Sequence, residues 1–328
     1  MPAQQKALFL QAKHGHFVVG TREVPAPAAG EVLVKVEATA LNPVDWKIQK
    51  YGGFITDYPA VLGEDAAGIV EEVGEGVTSF KKGDRVIFQG RLDNDHATYQ
   101  QYTLITAELV SKLPSQFSFD QGVTIPLGLS TAALGLYNVK SVDKSAALSP
   151  PWEEGGRGKY AATPIVVMGG SSAVGQFVLQ LAKLSGFSPI ITTASPRNAA
   201  QLTALGATHV LDRHLAPDVL SAEINIGYDV LMPGGKLLIT LGDAVDESKK
   251  AEGRTVVNVL GMVQLPFNVA VGASLFSKLF GLLEEGAVKP LHFEVLPHGL
   301  KGIAGGLKRL ENDQVSARKL VVHPQDAA

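Results

Sequence analysis

Ile165-Val-Val-Met-Gly-Gly-Ser-Ser-Ala-Val-Gly175 is the stretch that decides the fold of this 328-residue chain. Ile165 to Met168 is an unbroken apolar run, the pattern of a strand covered on both faces. Val174 to Ser185 places apolar residues at 174, 177, 178, 181, 182 and 184, one stripe at helical spacing. Between the two lies Gly169-Gly-Ser-Ser-Ala-Val-Gly175. Backbone N–H groups at a helix start have no intrahelical partner, and the helix dipole favours an anion there. Small side chains let a pyrophosphate approach the backbone, and Gly175 lets the helix pack on the strand. Ser171, Ser172, Ala173 and Val174 are therefore the expected phosphate contacts. A plain structural turn would leave the lack of bulky side chains from 169 to 173 unexplained.

Outward on the C-terminal side, Pro189–Thr192 reads as a second strand and Asn198–Leu205 as a helix stopped by Gly206. Thr208–Leu211 reads as a third strand, and Lys236–Thr240 as a later one after the turn Pro233-Gly-Gly235. Strand and helix alternate, which predicts a parallel, doubly wound sheet. The end of the second strand selects the cofactor. An NAD-binding chain usually has a carboxylate there for the ribose hydroxyls. Here Thr193-Ala-Ser-Pro-Arg-Asn198 has none. Ser195 can donate to a phosphate and Arg197 can pair with it bidentately, with Asn198 in the same turn and Arg213 just past the third strand. NADPH is expected over NADH. Only 19 residues, His214 to Met232, separate Arg213 from Pro233. A parallel crossover needs about a dozen residues, so two crossovers and a strand of about five need roughly thirty. The sheet is expected to be short of one central strand, with Asn225–Val230 as the segment available to fill the gap. Tyr228–Leu231 resembles the last turn of a helix.

Outward on the N-terminal side, Ser149–Gly158 is a polar, glycine-rich connection, and Gly128–Asn138 reads as a helix. Earlier still the texture is β-rich: Glu31–Glu37 alternates apolar and polar residues, and Gly68–Gly74 and Asp84–Phe88 are short strands between glycine turns. Residues from Thr255 onward mix helix with short strands and close on Lys319-Leu-Val-Val-His323. The length suits two domains. Apolar residues make up 45% and charged residues 19%, a globular balance. A net charge of -3 without a clustered basic face argues against nucleic acid. No apolar run reaches the roughly 18 residues of a membrane span, and Met1–Leu10 lacks a signal pattern; a cytoplasmic location is expected. There is no cysteine, which excludes disulfides, thiolate chemistry and cysteine-based zinc sites. His14, His16, His96, His209, His292 and His298 show no ligand spacing, so no metal is expected.

Several longer motifs, in order, carry a family resemblance. Gly63-Glu-Asp-Ala-Ala-Gly-Ile-Val-Glu-Glu-Val-Gly74, followed by Lys82-Gly-Asp-Arg-Val86, resembles the glycine-rich signature of the medium-chain dehydrogenase/reductase superfamily. Leu113-Pro114, Pro126 and Ser130-Thr-Ala132 are similar to its quinone and enoyl reductase branch. Asn42-Pro-Val-Asp-Trp-Lys47, Arg157-Gly-Lys-Tyr160 and Ser195-Pro-Arg-Asn198 resemble motifs of fungal zinc-free enoyl reductases, including trans-acting partners of polyketide synthases. Zinc-dependent members place cysteine and histidine where this chain has Asn42 and Glu64.

The resemblance implies an α/β protein with a GroES-like, β-rich catalytic domain (residues 1–122), a Rossmann domain for NADP (123–254) and a return to the catalytic domain (255–328). It implies hydride transfer from NADPH to an activated C=C bond in an enal, enone or enoyl thioester, the substrate being a small molecule, free or bound to an acyl carrier. A quinone reductase and a catalytically dead NADPH-binding scaffold or regulatory protein, such as a deletion isoform, remain beside that reading, and the family includes monomers and homodimers. Lys47 is implied as a donor to the cofactor or enolate, or is an exposed helix lysine. Asp45 orients the nicotinamide ribose or Lys47, or caps its helix. Thr131 bonds near the nicotinamide, or caps. Tyr51 and Tyr58 are proton donors, or pocket wall. Leu241, at the end of the strand after Pro233, is a further cofactor contact. Arg318 and Lys319 lie in the tail that approaches the cofactor in relatives, or are surface residues.

Overall fold

In the computed structural model the described residues are 3–139, 144–213, 225, 227–229, 231–240 and 245–326. The N-terminal part runs through β1 (Gln4–Leu10), β2 (Phe17–Glu23), β3 (Glu31–Ala40), α1 (Pro43–Tyr51), β4 (Ala60–Val61), β5 (Asp65–Val73), β6 (Arg85–Gln89), β7 (Tyr102–Thr106) and β8 (Val110–Lys112). Helices α2 (Phe119–Gly122) and α3 (Pro126–Tyr137) follow. Then come β9 (Ile165–Val167), α4 (Ala173–Ser185), β10 (Ile190–Ala194), α5 (Ala199–Leu205), β11 (His209–Asp212), β12 (Lys236–Ile239) and β13 (Thr255–Asn258). The last elements are α6 (Val269–Glu284), β14 (Phe293–Val295), α7 (Gly302–Glu311) and β15 (Lys319–Val322).

Two compact units result. Unit 1 comprises Met1–Leu127, Phe276–Glu284 and Lys289–Ala328, and unit 2 comprises Gly128–Leu275 and Glu285–Val288. Residues 255–275 thus cluster with unit 2, and the chain returns to unit 1 at Phe276.

Unit 1 is built on a seven-stranded sheet ordered β14-β15-β3-β5-β6-β8, with β7 also paired to β3, and a three-stranded sheet β2-β1-β4. The alternation at Glu31 produces β3, which pairs antiparallel with β5 from Val32↔Val73 to Ala40↔Asp65. β15 joins the far end of β3, Val321 opposite Ala40. Below lies a core of Leu10, Leu41, Ile48, Ile303, Leu320 and Val322, drawn from β1, α1, α7, β15 and their flanks. α1 has the start and stop its sequence encodes. Pro43 occupies the first turn, the Asp45 carboxylate accepts the Asn42 N–H, and Gly52 ends the helix at φ 69°.

Unit 2 contains two parallel groups, β11-β10-β9 and β12-β13. Leu179 and Ala182 of α4 and Leu202 of α5 bury against Val167, Ile190 and Ala194 of β9 and β10. Gly186 and Gly206 terminate the two helices at φ 88° and 131°. Two expectations are corrected here. β9 was expected to be covered on both faces, yet Val166 is 47% exposed; among the described residues β9 pairs with β10 alone, and β12 with β13 alone. Residues 225 and 227–229 are helical rather than a replacement strand. Tyr228 is buried there, and its hydroxyl accepts the Ala251 N–H at 2.9 Å. The segment 214–224 lies outside the described residues.

Candidate functional site

The glycine turn of unit 2 is arranged as an anion cradle. Gly169 adopts φ 68°, its N–H donates to Thr193 Oγ1 at 3.0 Å, and the Gly170 N–H donates to the Thr193 carbonyl at 3.0 Å. Ser172 caps α4, its hydroxyl accepting the Gly175 N–H at 3.0 Å. The N–H groups of Ser171, Ala173 and Val174 have no acceptor among the described residues. Those three donors lie at the positive end of a 13-residue helix, with an added anion attraction from the dipole. The turn hugs β10: a Cβ on Gly170 would sit 2.0 Å from Thr192 Oγ1, and one on Gly175 2.5 Å from the Gly169 carbonyl. The sequence is small here because larger residues would push the turn off the strand. This donor set fits a pyrophosphate.

The carboxyl end of β10 leads straight into Ser195, half-buried, and Arg197, exposed, on the short helical turn Pro196–Asn198. Arg213 is tied beside them, its backbone N–H donating to the Ala194 carbonyl at 3.1 Å. No carboxylate occupies the end of β10 itself; Asp212, the last residue of β11, pairs with Ala194. Asn198, in the same turn, is 8% exposed. Thr131 is placed on α3. It is 8% exposed, and its hydroxyl lies over Gly261, where a Cβ would come within 2.2 Å of it. Leu241 lies outside the described residues.

Unit 1 carries the expected catalytic residues and sorts them. Lys47 is half-buried on α1, its ammonium 5.6 Å from the Trp46 ring, and burial depresses its pKa. Tyr51 is 63% exposed and tilted against Trp46. Tyr58 packs on the core, and its hydroxyl is buried without a partner. Three residues expected near the cofactor make contacts within unit 1. Asp45 is fully buried, Oδ2 accepting the Tyr99 hydroxyl at 2.6 Å and the Asn42 N–H at 2.8 Å, so it caps α1 and shows no oxygen to a ribose. Lys319 is buried as well, donating to Asp65 Oδ2 and Asn42 Oδ1, both at 2.6 Å. Arg318 is an exposed partner of Glu294 at 3.7 Å. The tail thus closes unit 1 through an internal ion pair.

The same region shows what the sequence reading missed. Asp65 Oδ1 accepts the Leu127 N–H at 2.7 Å, and Oδ2 accepts Asn42 Nδ2 at 2.8 Å as well as Lys319. One carboxylate therefore joins β5, the start of α1, the start of α3 and β15. Glu64, beside it, is 2% exposed. Burial, reinforced by the charge of Asp45, pushes its carboxyl up to about 8. Burial also raises Asp45, to about 6. The sequence signal was the acid pair Glu64-Asp65 opening a run, Ala66–Val70, that is otherwise free of polar side chains. Among the described residues, no three His, Asp or Glu side chains are arranged to hold a metal ion, and no helix is long and apolar enough to cross a membrane.

Residues 28–115 match the alcohol dehydrogenase GroES-like domain. Dehydrogenase pigH of Monascus ruber is 36% identical over 221 residues, which is 65% of this chain and 58% of that protein. Trans-enoyl reductase himH of Aspergillus japonicus is 32% identical over 323 residues, covering 89% of each. The structure of the quinone oxidoreductase from Coxiella burnetii shares the fold, with a TM-score of 0.74 at 23% identity over 97% of this chain and 99% of that one. The antiparallel sheet of unit 1, the parallel strands of unit 2 and a relative that matches across nearly the whole chain lead to one assignment: the chain belongs to the medium-chain dehydrogenase/reductase superfamily, in its quinone/enoyl reductase branch, a family of oxidoreductases that typically bind a nicotinamide cofactor.

Proposed function

We propose that this chain is an NADPH-dependent reductase of carbon–carbon double bonds conjugated with a carbonyl, in enals, enones or enoyl thioesters. The observation that carries the reading is the pairing of a glycine cradle, with three N–H groups that have no acceptor among the described residues, and the neighbouring end of β10, which offers Ser195 and Arg197 but no carboxylate of its own, with Arg213 following Asp212 at the end of β11. The cradle holds the pyrophosphate; Ser195 and the two guanidinium groups hold the ribose phosphate. The cofactor, when bound, supplies the hydride. The chain's own residues handle the charge that then develops on the substrate oxygen. Lys47, kept half-buried, donates to that oxygen. The Tyr58 hydroxyl, buried and without a hydrogen-bond partner, donates the proton. The relative named a trans-enoyl reductase supports an alkene over a quinone. The substrate is accordingly a small molecule or an acyl group on a carrier.

Oxidation of NADPH with a panel of enals, enones, enoyl thioesters and quinones tests this reading. Turnover on at least one alkene class is expected; quinone turnover alone would replace the reading with quinone reduction. A cofactor-binding protein without turnover is the second reading. It is favoured by the separation of β9 from β12 among the described residues, and tight NADPH binding by calorimetry with silence across the panel would establish it.

A further inference from the structure

Unit 1 buries three carboxyl groups, Asp45, Glu64 and Asp65, at 0%, 2% and 0% exposure, with one ammonium, Lys319, at 4%. The hydrogen bonds are shared unequally among them. Asp65 receives three donors, one of them the ammonium at 2.6 Å. Asp45 receives two on Oδ2, from Tyr99 and Asn42, while its Oδ1 has none. Glu64 receives only Gln89 Nε2 at 3.4 Å, longer than an ordinary N–H···O bond. A buried charge without a partner is neutralised rather than tolerated. Lys319 balances Asp65, two donors partly compensate Asp45, and Glu64 is left as the group that must keep its proton. The groups that face it come from every neighbouring element: Asp45 from α1, Asp65 from β5, Lys319 from β15, Tyr99 from the segment before β7, and the neutral Gln89 from β6. Burial and the three acids hold Tyr99 protonated, so it adds no charge to the cluster and gives only its hydrogen bond to Asp45.

We propose that Glu64 is a positioning residue that occupies this cluster as a neutral carboxylic acid, and that loss of its proton displaces Asp45 and the first turn of α1, moving Lys47 out of place. Asp45 is two residues before Lys47 and holds the helix start through the Asn42 N–H. A second uncompensated negative charge beside it is relieved by motion of that turn or by entry of water. The reductase then carries an alkaline limit set by a side chain that never touches substrate. The catalytic consequence rests on the reductase reading above; the protonation of Glu64 does not.

The sign follows from linkage. Glu64 is raised in the folded state from the ordinary 4.5 to about 8. Between those values the folded chain holds a proton that the unfolded chain has lost, so stability falls as pH rises across that window and levels off above it.

Glu64→Gln, neutral at every pH and of the same shape, is the test. In the wild type, kcat/KM with NADPH and a turned-over alkene should lose about tenfold per pH unit above roughly 8, mainly in kcat. E64Q should keep its pH 7 value to within about threefold and hold it further into the alkaline range, with any limb contributed by Lys47 common to both proteins. Between pH 6 and 8, above the range in which the raised Asp45 carboxyl contributes in both proteins, the urea midpoint of the wild type should fall and that of E64Q should not. The infrared spectrum of the wild type at pH 7 should show a carboxylic acid C=O band that titrates near pH 8 and is missing from E64Q. Superimposable pH profiles and midpoints, or a wild type without that band, would overturn the proposal. If every alkene is silent, the infrared and urea measurements still decide it. If E64Q does not fold, the wild-type band does.

Discussion

Lys319→Met removes the one cation from the buried cluster of unit 1 while keeping a stem of similar length. The side chains of Lys319 and Asp65 are 4% and 0% exposed, with Nζ 2.6 Å from Oδ2. Breaking a buried pair by deleting one partner costs about 3–5 kcal/mol, because the remaining charge stays buried without compensation. Asp65 would keep the Leu127 and Asn42 donors but would join Asp45 and Glu64 in a cluster of acids alone. For a unit of this size each kcal/mol moves Tm by roughly 2–4 °C, so K319M should melt on the order of 10 °C below the wild type by calorimetry. The double variant K319M/D65N removes both charges and should recover about half of the loss or more. Arg318→Ala is the internal control. Its partner Glu294 is already held by Arg309 at 2.7 and 2.9 Å, and exposed pairs contribute little, so the change should stay below about 0.5 kcal/mol. The reasoning fails if K319M melts with the wild type, or if the double variant is no better than K319M.

Arg197→Ala should weaken NADPH about tenfold or more by calorimetry, as expected for loss of a charge-assisted contact, and leave NADH nearly unchanged; equal effects on both would refute the phosphate assignment. Gly170→Ala drives a Cβ to 2.0 Å from Thr192 Oγ1 on β10, so the turn must lift off the strand. NADPH binding should drop below detection, with Tm lowered; a variant that binds normally would mean the turn is not seated as described. Tyr99→Phe removes the 2.6 Å donor to Asp45 and should cost about 1–3 kcal/mol in urea unfolding, with an unchanged midpoint as the refuting result.

What could be read from the sequence was local. The alternation from Glu31 gave the central strand of unit 1, and the stripe from Val174 with its glycine stop gave α4, because backbone periodicity and caps are encoded within a few residues. The small residues of the glycine turn before α4 were legible for the same reason. Lys319 was not. In Lys319-Leu-Val-Val a lysine opening a strand looks solvated, and its acceptors are 254 and 277 residues away. Asp45 stood between readings: Asn42-Pro-Val-Asp45 matches a helix cap as well as a catalytic motif, and only burial separates them. β9 looked covered because its three apolar residues fit that pattern, whereas cover depends on neighbours that its own sequence does not specify.

The placement of Lys319 also bears on how the protein is made. Unit 2 is nearly continuous in sequence, and translation delivers all its strands and helices before β15 leaves the ribosome. Unit 1 is begun first and completed last. Until Lys319 arrives, Asp65 and Asn42 have no ammonium to enclose, and the edge of β3 that accepts β15 stays open. The nascent chain therefore holds a half-built sheet throughout synthesis of unit 2, an interval in which chaperone engagement or edge-to-edge association competes with folding. Translation stopped anywhere between unit 2 and Lys319 would release a chain able to form the dinucleotide cradle but not the ion pair on which α1 rests.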